Sequence, residues 1–182
     1  MSLSNLTKNI IEFLSVFDKV GIATSDDFEH LPNSKHPNQM MKDVKSAIVF
    51  VQSNKSGEMG IFEDYFSVIA SQNDVVNYLN EFGYDAKVID SSDSRISFVT
   101  MGVKSGVGDI SPVNSLVVKG IGLTGTIGVI LTNAPLNKTI NNNKTCINCM
   151  RCLKVCPIRD VANAKGDLDN CACGKCVNIC PV

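Results

Sequence analysis

Apolar residues near the start of the chain fall at Leu6, Ile10, Leu14 and Phe17, the spacing of one helical face, with Phe13 and Val16 widening the stripe. The pattern predicts a helix packed on a core. "VGIAT" (Val20 to Thr24) then reads as a short buried strand, followed by a polar stretch to about Lys42 that holds both histidines, His30 and His36, and reads as solvated loop. "SAIVFVQ" (Ser46 to Gln52) is a β-branched run of the kind buried on both faces. From Gly60 to Phe82 the residues Phe62, Tyr65, Phe66, Ile69, Val75, Val76, Leu79 and Phe82 recur at helical spacing, with "SQND" as a candidate break and Gly83 as the stop. "AKVID" (Ala86 to Asp90) and "TIGVILT" (Thr126 to Thr132) complete the strands. Strands alternating with helices predict an α/β layer of mostly parallel strands up to about residue 135.

The pattern then stops. "LNKTINNNKT" is nearly devoid of apolar residues and carries three consecutive asparagines, the character of a linker. The segment beyond it is too short and too poor in large apolar residues to fold by burial alone, so its stability must come from what it binds. The expected organisation is therefore an α/β domain over residues 1–136, a linker over 137–145, and a small module over 146–182, α+β overall.

A formal net charge of −1 over 182 residues gives no electrostatic footprint for nucleic acid or an anionic membrane. Lys8, Glu12, Asp18 and Lys19 interrupt the apolar run that a signal peptide needs, and no apolar stretch approaches the roughly 20 residues of a membrane span. The expectation is a soluble, cytoplasmic protein.

That compartment changes the meaning of the eight cysteines, Cys146, Cys149, Cys152, Cys156, Cys171, Cys173, Cys176 and Cys180, all of them in the last module. Thiols clustered in a reducing environment point to metal rather than to disulfides. "CINCMRCLKVCP" has the spacing C-x2-C-x2-C-x3-C-P, the bacterial ferredoxin run in which three thiolates hold one 4Fe–4S cubane and the fourth ligates another. Pro157 biases Cys156 toward an extended conformation that turns the chain away. Paired zinc sites would also use C-x2-C knuckles, but a third cysteine at the same interval and a fourth before proline are superfluous to them.

The second run, "CACGKCVNICPV", departs from this spacing: Asn170 stands where a cysteine belongs, and the thiol has moved to Cys171. Residues i and i+2 of an extended chain lie about 6.6 Å apart, so Cys171 and Cys173 can reach different corners of one cube. The crossed arrangement of two-cluster ferredoxins assigns Cys146, Cys149, Cys152 and Cys180 to one cluster, and Cys171, Cys173, Cys176 and Cys156 to the other. Lys144, Arg151, Lys154, Arg159, Lys165 and Lys175 outnumber Asp160, Asp167 and Asp169 around them and offset cluster charge.

"GIGLTG" (Gly120 to Gly125) matches the glycine spacing of dinucleotide-binding loops, but the order of elements around it is reversed: "SPVNSLVVK" before it looks helical, and a strand follows. Glycines serving a tight turn or a close backbone approach are the better expectation.

The segments "GIA", "KSAIVF", "NEFGYDAKVI", "GIG" and "GVILTNAPL", with both cysteine runs, make the chain resemble the epoxyqueuosine reductase family, relatives of the reductive dehalogenases. The resemblance implies an N-terminal α/β domain that holds a corrinoid and a C-terminal double-cubane module that feeds it electrons. This chain lacks the stretch that family members carry between the glycines and "IGVILTNAPL" and that helps shape the corrinoid site. Asp109, in "GDISPV", falls near the family's acidic proton donor without a local match that carries the role over. The expected function is thus electron transfer through two 4Fe–4S clusters to a redox partner protein or a small-molecule acceptor. The alternatives are a corrinoid-dependent reductase and a structural zinc module.

Overall fold

The computed structural model describes residues 3–54, 58–123, 125–140, 144–157 and 175–182, the side chains of 58–62 excepted. In chain order the elements are α1 (Leu3–Phe13), β1 (Lys19–Thr24), β2 (Ser46–Gln52), α2 (Glu58–Glu81), β3 (Ala86–Ile89), α3 (Phe98–Lys104), β4 (Asp109–Ile110), β5 (Leu116–Val117), β6 (Thr126–Thr132), α4 (Arg151–Val155) and α5 (Lys175–Ile179). They fall into two compact units, Met1–Val107 with Gly125–Asn141, and Gly108–Thr124 with Asn142–Val182. Residues 108–124, which the hydrophobic pattern leaves with the α/β domain, group instead with the cysteine-bearing segment.

The first unit is a mixed α/β layer whose sheet has the order β1-β2-β6-β3. Every neighbouring pair is antiparallel, with Val49 opposite Val129 at the centre of β2 and β6. The expectation of mostly parallel strands is corrected here. β2 and β3 do run the same way, joined by α2, but they are not neighbours: β6 inserts between them and pairs with both, making a split β-α-β unit. Alternation along the chain reveals the crossover and is blind to a later strand filling the gap.

The stripe of α1 is the core contact: Leu6, Ile10, Leu14 and Phe17 are buried with Ile22, Ile48, Phe50, Leu79 and Ile130. Phe13 and Val16, expected to widen that stripe, are 49% and 78% exposed. The helix ends at Phe13 and tightens into a 3-10 turn over Leu14–Val16, which shifts the angular period and turns Val16 outward. α2 runs through "SQND" without a break. Gln72 is buried within it because its Nε2 donates to the Val129 carbonyl at 3.0 Å, so a polar residue that looks like punctuation is a satisfied core group. His30 is exposed and His36 Nδ1 accepts the Asn38 N–H at 3.1 Å, a local turn contact in keeping with a loop.

The outer edge of β1 is covered by the polar segment after β6. Thr139 N–H donates to the Ile22 carbonyl at 3.1 Å, and its Oγ1 accepts the Ile22 N–H at 2.8 Å and donates to the Ser105 carbonyl at 2.8 Å. Thr139 thereby satisfies both backbone polar groups of an edge-strand residue. Beside it, Lys138 Nζ meets Asp27 Oδ1 at 2.5 Å, and Asp27 Oδ2 accepts the Thr24 N–H at 3.0 Å. Burial pushes the Asp27 carboxyl up, but the Lys138 and Thr24 hydrogen bonds and the Lys138 charge outweigh it and hold it below the ordinary carboxylate value. A depressed folded-state pKa stabilises the fold above the unfolded value of about 3.9 and loses that contribution as pH falls through the folded value. Asp27→Asn should therefore cost about 0.5–1 kcal/mol at neutral pH. It should also flatten the acid limb of stability against pH, as read by urea unfolding across that range.

Gly21 of β1 faces the end of α3. A Cβ there would stand 2.3 Å from the Ser105 carbonyl oxygen and 2.8 Å from Val107 Cγ1. The clash is with backbone and cannot be relieved by a rotamer, so Gly21→Ala should destabilise the fold by about 3 kcal/mol in denaturant titration.

The second unit opens with a hairpin. β4 and β5 pair antiparallel, Asp109 opposite Val117 and Ile110 opposite Leu116. "SPVNSLVVK", expected to be helical, is the turn and second strand of this hairpin. Asn114 sits at φ 55°, its N–H donates to the Ser111 carbonyl at 2.9 Å, and Ser111 Oγ accepts the Ser115 N–H at 3.1 Å. Proline, asparagine and serine so spaced are turn chemistry, and they override the apolar periodicity. The first part of "GIGLTG", "GIG", follows as a tight turn closed by a Val118–Gly122 bridge, with Gly120 and Gly122 at positive φ, and β6 comes next, in keeping with the turn expectation. Among the described residues, no helix is long and apolar enough to cross a membrane.

Candidate metal centre

The first cysteine run folds as a loop leading into a single turn of helix. Asn148 (φ 58°) and Met150 (φ 60°, ψ 9°) are both left-handed, and α4 begins at Arg151. A left-handed residue followed by a right-handed one aims consecutive N–H groups into one concavity, a geometry that cradles anions and iron–sulfur groups. Asparagine tolerates such a φ, whereas methionine is strained by it. Cys152 is the second residue of α4 and is buried; Cys156 closes the helix at φ −71°, ψ 119°, extended before Pro157 as expected. In the second run, α5 carries Cys176, and Cys180 follows its end.

Cys146, Cys149, Cys152 and Cys180 together line one small cavity of about 20 Å³, partly open to solvent. The remaining walls include Pro112 and Val117 of the hairpin, Leu123, Met150 and Pro181. Cys156 is not among the lining residues. It packs instead with Val113 and Cys152, with Cys176 and Leu153 against them. Cys171 and Cys173, expected at the second cluster, lie outside the described residues, as do Arg159 and Lys165 of the basic set. Among the described residues no three His, Cys, Asp or Glu side chains gather as the ligands of one ion would. The four thiols surround a space.

Burial pushes the Cys152 thiol above its ordinary value, and the neighbouring Cys146 and Cys149 raise it further. The backbone hydrogen bonds at Leu153 and Cys152 lower it without outweighing burial, and the charge of a bound metal would favour the thiolate.

Two features of the site escaped the sequence reading. The turn residue Gly122 approaches Cys180: a Cβ on it would lie 3.7 Å from Cys180 Sγ and 3.0 Å from the Val182 carbonyl oxygen. Its signal was present in "GIGLTG", without any means of saying what the glycine approaches. Asp109 Oδ2 accepts a 3.1 Å hydrogen bond from the Cys146 N–H and another, short, from the Thr145 N–H. Nothing in the local sequence links positions so far apart.

The chain thus combines a mixed α/β unit with an antiparallel sheet and a cysteine-rich helical unit whose described thiols are consistent with iron–sulfur binding. Solved structures share this fold. The chain is similar to epoxyqueuosine reductase from Bacillus subtilis (15% identity, 86% of this chain and 52% of that one, TM-score 0.70) and from Streptococcus thermophilus (16%, 84% and 51%, TM-score 0.63). It is similar also to the catabolic reductive dehalogenase NpRdhA, in a complex with 3-bromo-4-hydroxybenzoic acid (17%, 87% and 26%, TM-score 0.66). The resemblance read from the sequence thus holds at the level of fold. The chain spans about half the length of the epoxyqueuosine reductases and about a quarter of the dehalogenase. No protein-family profile matches it, and no curated protein does.

Proposed function

We propose that this chain is an electron-transfer protein of the reducing cytoplasm. It holds two 4Fe–4S clusters and passes electrons to a redox partner protein or a small-molecule acceptor. One cluster is held by Cys146, Cys149, Cys152 and Cys180, the other by Cys156, Cys171, Cys173 and Cys176. The observation that carries the reading is that Cys180 lines a cavity with the first three thiols while Cys156 does not line it. This is the pairing that the crossed ferredoxin spacing requires. Such clusters, when bound, supply reversible one-electron chemistry. The chain's own part is to hold the thiolates, exclude bulk water with the hairpin residues Pro112 and Val117, and set the charge nearby. Anaerobically purified protein should be brown and contain about eight iron atoms and as many sulfides per chain. A colourless, zinc-loaded preparation would overturn the reading.

A second reading, a corrinoid-dependent reductase, is favoured by the fold itself. A further similar structure is of a reductive dehalogenase for which a B12-dependent mechanism was suggested (17%, 79% and 22%, TM-score 0.56). Cobalamin retained on gel filtration, with a changed visible spectrum, would support it; failure to bind cobalamin would remove it.

A further inference from the structure

We infer that Asp109 is a positioning residue for the first cluster, acting through the backbone of Cys146, an inference that rests on the electron-transfer reading above. The first run must present Cys146 to the cavity from a chain that arrives in a polar segment without helix or strand, residues 144–150. What fixes its entry is a carboxylate from β4: Asp109 Oδ2 takes both the Thr145 and the Cys146 N–H groups. Thr145 is buried at this point, so its N–H would otherwise lack water as a partner. Hydrogen bonds to an ionised acceptor are the stronger kind, and two on one oxygen define the chain's direction as well as its position.

The same arrangement has an electrical consequence. It fixes a negative charge against the residue that supplies the first thiolate, and it engages the Cys146 N–H, which then cannot turn toward cluster sulfur. Both effects favour the oxidised state of that cluster, because potential follows local charge and hydrogen bonding to sulfur. The hairpin register supports the assignment. Asp109 is paired with Val117, itself a wall of the cavity, so the carboxylate and the wall are set by one strand pair.

Two variants separate holding from tuning. Asp109→Asn keeps an acceptor oxygen and removes the charge: iron content should stay near that of the parent, while the midpoint potential of one cluster rises and that of the other does not move. Asp109→Ala removes both: iron should fall by about half on exposure to a chelator, with the second cluster's signal retained. Hydrogen–deuterium exchange over residues 144–146 supplies a readout independent of iron, with protection in the parent protein lost in Asp109→Ala. Unchanged exchange, or potentials that move together or not at all in Asp109→Asn, would overturn the inference. A parent protein that holds no iron but protects these amides would sink the electron-transfer reading and leave Asp109 anchoring only the backbone of Thr145 and Cys146.

Discussion

Cys180→Ser is expected to abolish the same cluster that Cys152→Ser abolishes, lowering iron from about eight to about four atoms per chain and leaving the second cluster's signal intact. The two residues belong to different cysteine runs, yet both line the cavity that Cys146 and Cys149 line. Cys156→Ser and Cys176→Ser should form the complementary pair, since the crossed spacing assigns both to the other cluster. Iron and sulfide analysis with electron paramagnetic resonance of the reduced protein reads each outcome. Should Cys180→Ser behave like Cys176→Ser, the crossed assignment is wrong and each run holds its own metal. Serine keeps the volume of the side chain while giving iron a far poorer ligand, so a fall in iron reports ligation rather than collapse of the fold.

The second large effect is expected at Gly122, where two costs can be separated by a neighbour. Gly120 and Gly122 are both left-handed, at φ 82° and 76°, so a side chain at either strains the backbone by about 1 kcal/mol. A Cβ on Gly120 meets nothing within 4 Å, whereas one on Gly122 meets the Val182 carbonyl oxygen and the Cys180 side chain. Gly120→Ala should therefore lower stability slightly and retain all iron. Gly122→Val should displace Cys180 and lose about half the iron, the same half that Cys180→Ser loses. Equal iron retention in both variants would mean that the glycine turn serves folding alone.

How much of this was legible in the chain depends on how local each cause is. β2 and β6 stand over the same residues that their β-branched runs mark, and β3 ends one residue sooner, because strand propensity and flanking polar residues are read over a few positions. Sheet direction was not legible, since β6 enters between β2 and β3 from far along the sequence. The hairpin at 109–117 was misjudged for the opposite reason. Its apolar spacing imitates a helix, and only the turn formed by Ser111 and Asn114 decides against one. Gln72 looked like a break because its partner, the Val129 carbonyl, belongs to a distant strand.

At the metal centre the division is the same. Thiol spacing along the chain carries the proposed chemistry, because the reach of a short loop limits which metal groups it can surround, and Pro157 determined the conformation of Cys156. Only the folded chain decided that Cys180 shares a cavity with the first run, that Gly122 leaves room beside it, and that Asp109 holds Cys146. Those are relations between residues far apart in sequence. They exist only after strand pairing and burial have brought distant backbone together, and no local pattern of residues encodes them.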